Sequence, residues 1–344
     1  MKAMVLTDLL NIEIVDKPDP VIKNSGDVLV RMKSVGVCGS DIHYYKEGRI
    51  GSQVVKFPFT LGHEGSGIVE EVGPEVQNVS PGDRIAFDPS IPCYKCDQCL
   101  AGRHHTCRNI LFMGCPDQYE GCLSELIVIP SSICYLLDDS ISFDQAALSE
   151  PLSIGVYSAM LGGNLQNAKI AILGSGPIGV SVMLSAVQYG AAKVYMTDLL
   201  DERLSLARSF GADWTGNPDR EDIVGDILEN EPLQMDVVFE CCGKQEALDQ
   251  AITLLKPGGR LVIVGVPAFD NWIIGTDEMR KKELSIQNVR RQNEALLPAL
   301  EFISGGRIKP EKMMTHTFSF DRVAEAYDLV AGYRDGVLKA MINF

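Results

Sequence analysis

The sequence has no run near the ~20 consecutive apolar residues that span a bilayer, although hydrophobic residues make up 46% of its 344 positions. Its start, MKAMVLTDLL, shows neither the long apolar stretch nor the small-residue cleavage site of a secretory leader. Positive charge is short: 31 Lys and Arg stand against 46 Asp and Glu, and the formal charge of −15 repels phosphodiester backbones and anionic membrane surfaces. No internal repeat and no low-complexity segment interrupts it. These absences point away from membrane, nucleic-acid-binding and solenoid proteins and predict a cytoplasmic globular chain. At this length two domains are the default, because single cores stop growing at about 250–300 residues.

Cysteine is not scarce. Ten are present, and without an export signal the reducing cytosol disfavours pairing them as disulfides. Four fall in CYKCDQCLAGRHHTC, at Cys93, Cys96, Cys99 and Cys107. A lone Cys-x-x-Cys also suits thiol redox chemistry, but four thiols in one short loop match the closed tetrahedral shell of structural zinc. A filled shell leaves no position for substrate, so any metal chemistry needs a second site.

Along the chain, DVLVRMKSVGVCG, GSGIVEEVG and RIAF, broken by Gly and Pro turns such as SPGD, predict a β-rich first domain from which the cysteine lobe projects. After residue 150 the pattern alternates: KIAILGSG, PIGVSVMLSAVQYGA, KVYMTD, DERLSLARSFGA, MDVVFECCG, EALDQAITLLKPGG, RLVIVGV. That succession is the signature of a parallel sheet wound with helices. The expected division is 1–153 for the first domain, 154–288 for the wound domain, and 289–344 returning to the first.

Two constellations carry chemistry. GSGPIG places Gly174, Gly176 and Gly179, with Ile178 between them, after an apolar strand and at the mouth of a helix. The first glycine permits the turn, the second lets a pyrophosphate approach backbone, and the third lets helix and strand pack. Asp198 ends the next strand, where a carboxylate binds the adenosine ribose hydroxyls of NAD and repels the 2′-phosphate of NADP. The plainer reading is a glycine turn with a helix-capping Asp. The second constellation is dispersed: Cys38, Ser40, Asp41 and His43 in VGVCGSDIHYY, His63 and Glu64 in LGHEGSG, and Glu150 in LSEPLSIG. Thiolate, imidazole and carboxylate are catalytic zinc ligands, but sequence spacing alone does not join them; a structural histidine and a buried small cysteine remain open.

GHEGSGIV with CGSD, PGDRI, the four-cysteine lobe, SEPLSIG, GSGPIG and TDLLDERL together resemble the zinc-dependent medium-chain alcohol dehydrogenases over essentially the whole chain. CGSDIHYYKEGRIGSQVVKFPFTLGHE, with Glu150 in place of a cysteine, is most similar to the polyol (sorbitol/xylitol) branch. The resemblance implies an α/β protein with a GroES-like catalytic domain, a structural-zinc lobe often used in subunit contacts, and a Rossmann domain. It implies two zincs per chain, NAD, a small polyol or sugar-derived substrate, and a homodimer or homotetramer. It assigns Cys38 and His63 as catalytic-zinc ligands with Glu64 as the third, Glu150 to binding the metal directly or through its water beside the substrate, without deciding which carboxylate touches the metal, Ser40 and His43 to the substrate proton, and Asp41 to orienting His63. Tyr44 and Phe112 fall in the substrate pocket, Arg290 near nicotinamide and substrate, and Arg203 beside the adenosine. One departure stands out: Arg291 and Asn293 follow Arg290 where the branch carries a tyrosine. If this stretch is strand, alternation sends Arg290 inward and Arg291 outward, which favours a neutral polyol. Sugar acids of the idonate type, polyol phosphates, threonine and butanediol are the alternative substrates; a non-catalytic NAD- or zinc-binding protein is the alternative of another class.

Overall fold

The computed structural model describes every residue, Met1–Phe344. Contacts divide the chain into two compact units, Met1–Glu150 with Ala299–Phe344, and Pro151–Pro298. The first is built on a seven-stranded sheet whose order is Cys134–Leu136, Arg84–Phe87, Glu64–Val72, Asp27–Gly36, Lys339–Asn343 and Met314–Ser319, with Leu126–Pro130 also paired to Asp27–Gly36. Alternation drives it: Val28, Val30 and Met32 enter the core with Ile85, Phe87 and Ile342, while Arg31 between them is exposed. The last strand lies antiparallel beside Asp27–Gly36, Met341 opposite Gly36, so the C-terminal segment does return to the first unit. It returns later than residue 289. Ser285–Asn288 is still a strand of the second sheet, and the boundary falls within the helix Leu296–Ser304.

The second unit is a six-stranded, wholly parallel sheet ordered Trp214–Gly216, Lys193–Thr197, Lys169–Leu173, Met235–Glu240, Leu255–Ile263, Ser285–Asn288. Its central strands are nearly continuous apolar runs, as strands buried on both faces must be. The chain grows outward one way from Lys169–Leu173, then crosses back to Met235–Glu240 on its other side. The strand ends there form a topological switch point, where dinucleotides bind in doubly wound folds. The helix Phe143–Leu161, with Pro151 inside it, carries the chain from one unit to the other. No helix is long and apolar enough to cross a membrane.

Candidate functional site

Cys38 is the N-cap of the helix Gly39–Glu47, just past the strand Asp27–Gly36. His63 and Glu64 open the strand Glu64–Val72, with Glu64 directly opposite Gly36 in the ladder. This register brings ligand atoms of Cys38, His63 and Glu64 within 4.8 Å of one another. His63 and Glu64 are buried, so the donors are pre-placed away from bulk water. Glu150, also buried, is not among the groups that converge there.

Asp41, in the first turn of that helix, is wholly buried. Its carboxylate accepts from the Cys38 and Gly62 amides, both at 3.4 Å, and lies 3.3 Å from His63 Nδ1, close enough to attract but off the line of a hydrogen bond. Lys339, buried in the final strand, grips both Glu64 oxygens from Nζ at 2.8 and 2.7 Å and the Val37 carbonyl at 3.1 Å. Two strands meet here across a gap: a Cβ on Gly36 would lie 2.1 Å from Glu64 Oε2. Sequence reasoning missed Lys339 and Gly36. The signal was a single charged residue inside the mostly apolar VLKAMINF.

The electrostatics suit a dication. Burial alone would lower the His63 pKa, yet the charges of Asp41 and Cys38 outweigh it and hold the ring well above its ordinary value. Burial likewise pulls Lys339 down, and Glu64 then Cys38 more than reverse it. Burial pushes Glu150 up to about 8, with Glu64 and Asp88 adding to the rise and His63 and Lys339 opposing it. Lys339 offsets the charge of Glu64 without displacing it from the cluster, and thiolate, imidazole and carboxylate are ligand types that zinc accepts.

Around the cluster, Ser40 Oγ donates to Cys38 Sγ at 3.3 Å and lies 3.5 Å from His63 Nε2. His43, half-buried, has Nδ1 at 3.6 Å from Glu47 Oε1 one turn on. The Phe112 ring sits over His63, centroids 5.3 Å apart. Tyr44 donates to Gln53 Oε1 at 3.3 Å and is 3.5 Å from Cys115 Sγ.

The four lobe cysteines also have ligand atoms within 4.8 Å of one another. The chain is folded tightly for this by the short helix Asp97–Leu100 and a 3-10 turn at His104–Thr106, with Arg108 forked onto Asp97 at 2.5 and 2.9 Å. Backbone amides of Cys93 and Asn109 donate to Cys107 Sγ at 3.2 and 3.4 Å. The Lys95 amide leads the groups that bring Cys93 down to about 6, and the Arg108 amide leads those that lower Cys96, whereas burial pushes Cys99 up to about 12. Donor set and amides fit a closed zinc shell.

In the second unit, Gly174 takes φ +107, Gly176 caps the helix Pro177–Gln188, and a Cβ on Gly179 would strike the Gly174 carbonyl at 1.8 Å. Ile178 is half-buried in that first turn. Asp198 accepts from the Ser175 amide at 2.8 Å and the Leu200 amide at 3.0 Å, which fixes it beside the loop. Arg203 lies 4.0 Å from Asp198, and its guanidinium would be 3.4 Å from a Cβ on Gly176. The turn and its carboxylate thus fit a dinucleotide. Alternation fails at Arg290 and Arg291. The strand stops at Asn288, Arg291 adopts φ +54, and it is Arg290 that is exposed and Arg291 that is half-buried.

Two sheets of different kind, one carrying a thiolate–imidazole–carboxylate cluster and the other a glycine turn at a switch point, define a metal- and dinucleotide-using dehydrogenase. Residues 24–139 match the alcohol dehydrogenase GroES-like domain family, and residues 177–305 match the zinc-binding dehydrogenase family. The chain belongs to the zinc-dependent medium-chain alcohol dehydrogenases and is an NAD-dependent oxidoreductase resembling the polyol dehydrogenases. It is 35% identical to the L-idonate 5-dehydrogenase of Vitis vinifera over 92% of this chain and 88% of that one. It is 33% identical to the sorbitol dehydrogenase of Bacillus subtilis over 99% of this chain and 97% of that one. The crystal structure of galactitol-1-phosphate dehydrogenase from Escherichia coli superposes with a TM-score of 0.92 at 26% identity, covering 100% of both chains.

Proposed function

We propose that the enzyme reversibly oxidises a secondary hydroxyl of a neutral polyol, of the sorbitol or xylitol type, to the ketose. The observation that carries this reading is the convergence of Cys38, His63 and Glu64 with the Ser40 hydroxyl beside them. Three protein donors leave a fourth position for a substrate oxygen, as in catalytic rather than structural sites. Cys38, His63 and Glu64 would hold the zinc, with Glu150 outside the ligand set; the lobe would hold the second zinc. Bound there, zinc would supply Lewis acidity toward the substrate oxygen, and NAD on the glycine turn would supply the hydride acceptor. Ser40 takes the hydroxyl proton, and His43, half-exposed, passes it to water with Glu47 behind it. Asp41 holds the His63 ring in place, and Phe112 covers that ring with an apolar wall. Asp198 favours NAD over NADP by charge.

The test is NADH formation after zinc repletion with a panel of polyols, idonate-type acids and polyol phosphates. Turnover of none of them by fully metal-loaded protein would sink the reading. The second reading, an anionic substrate, turns on Arg291, which is less exposed than Arg290. Its guanidinium suits a carboxylate or phosphate. If that reading holds, Arg291→Tyr lowers kcat/KM for acids or phosphates and spares neutral polyols; an unchanged preference removes it.

A further inference from the structure

Tyr327 lies on the helix Val323–Ala331, in the returning C-terminal segment, and is wholly buried. That helix packs on Gly39–Glu47: the Tyr45 and Tyr327 rings meet edge to face at 5.5 Å, and Tyr45 donates to Asp328 Oδ1 at 2.6 Å. Asp41 precedes Tyr45 by four residues, so it projects from the same helix face one turn back. No protein group is in hydrogen-bonding position for the Tyr327 hydroxyl. Asp41 shows the complementary shortage. It is a wholly buried carboxylate whose amide donors stand at 3.4 Å, beyond the usual 2.7–3.2 Å range.

A buried hydroxyl without a partner is costly, and native interiors resolve such cases with ordered water held by two to four polar groups. The electrostatics agree with the geometry: after burial, Asp41 leads the charged groups that push the Tyr327 phenol up, so Asp41 lies in its neighbourhood.

We propose that Tyr327 is a positioning residue for the catalytic metal centre: its hydroxyl donates through one buried water to Asp41, which in turn fixes the His63 ring. The aromatic body fills the helix interface; the hydroxyl alone reaches the metal site, through two intermediaries. This rests on the metal assignment above, which the zinc count of the wild-type enzyme tests on its own.

The experiment follows zinc loss to a chromogenic chelator from zinc-loaded wild type, Tyr327→Phe, Asp41→Asn and the double variant, with Tm measured on each. Tyr327→Phe is expected to speed loss from the open site about tenfold, the low end for groups that orient a ligand, to leave the lobe's loss unchanged, and to lower Tm. In the Asp41→Asn background it is expected to add nothing to that rate. Unchanged open-site loss overturns the inference, and a raised Tm would then mark a hydroxyl with no partner at all. An acceleration that persists in the Asp41→Asn background also overturns it, because Tyr327 would be acting elsewhere. A high-resolution crystal structure of the zinc-loaded enzyme checks the same point without a variant. Density for a water joining Tyr327 Oη to the Asp41 carboxylate is required, and a dry contact there refutes the bridge.

Discussion

The lobe at 93–107 and the cluster at Cys38, His63 and Glu64 each gather metal donors within 4.8 Å, but they are assembled in opposite ways. The lobe draws four like donors from fifteen consecutive residues and steadies them with backbone amides. The cluster draws three unlike donors from two strand ends, and its carboxylate is held by a lysine 275 residues away. Four thiolates saturate a tetrahedral ion and leave it nothing to do but pin the chain; three mixed donors leave an open position and must be held by the fold itself. Damage to the lobe should therefore appear in stability, and damage to the cluster in rate.

The sharpest way to break that contrast is to substitute one cysteine in each. Cys38→Ser is expected to lower kcat/KM by about a thousandfold or more, the consequence of losing several kcal/mol of Lewis-acid stabilisation, with the lobe's zinc retained. Cys96→Ser should lose the lobe's zinc and lower Tm, while the fraction that stays folded keeps kcat within a few-fold. Zinc per chain by mass spectrometry, beside steady-state kinetics, reads both. If Cys96→Ser abolished turnover in folded protein, the division of labour would be wrong.

Next in size is the ion pair beneath the cluster. Lys339→Met strands the Glu64 carboxylate in the interior, and breaking a buried pair from one side costs about 3–5 kcal/mol, to be read from urea unfolding. Gly36→Ala approaches the same carboxylate from the other side, since the added methyl takes the space of Glu64 Oε2. It should release zinc without touching the lobe. No surface salt bridge of the lobe, Asp97–Arg108 included, should cost more than about 1 kcal/mol when removed.

The same contrast explains what could be read in the sequence. The lobe and the GSGPIG turn were legible because their residues are neighbours in the chain and their spacing is itself the geometry. The alternation of strand and helix after residue 150 was legible for the same reason, since each element's period is local. The cluster was legible only by resemblance. Glu64 meets Lys339 because both strands flank Asp27–Gly36 in a particular register, and register between distant strands leaves no local mark. Arg290 and Arg291 show the converse failure: alternation is a rule of strands, and the strand ends two residues before Arg290 reaches its place. The division at Ala299 leaves no local mark because the helix Leu296–Ser304 runs through it.

A finer cut separates the two carboxylates of the open site. Glu64 converges with Cys38 and His63, and Glu150 does not. Glu64→Gln should therefore lose zinc from the open site, whereas Glu150→Gln should keep it with affinity reduced about tenfold at most and with a lower rate. Equilibrium zinc binding in competition with a chelator distinguishes them. Stronger metal loss from Glu150→Gln than from Glu64→Gln would make Glu150 the ligand and leave Glu64 to Lys339.

The last expected effect is a slope with pH. Burial pushes Glu150 up to about 8, whereas an unfolded glutamate titrates near ~4.3. Between those values the folded chain binds a proton that the unfolded chain does not, so stability is greatest below the unfolded pKa and falls as pH rises toward the folded one, by at most ~1.4 kcal/mol per pH unit. Protein stripped of its open-site zinc should lose resistance to urea from pH 5 to pH 8, and Glu150→Gln should flatten that loss because glutamine has no proton to give up. Zinc in the open site opposes the effect, since a nearby cation favours the ionised carboxylate. The lobe offers the control. It is not among the groups that shift Glu150, so Cys96→Ser should change the height of the curve and leave the Glu150-dependent part of its slope alone. Equal slopes in wild type and Glu150→Gln would mean that Glu150 is already ionised in the folded protein, held by His63 and Lys339 against its burial.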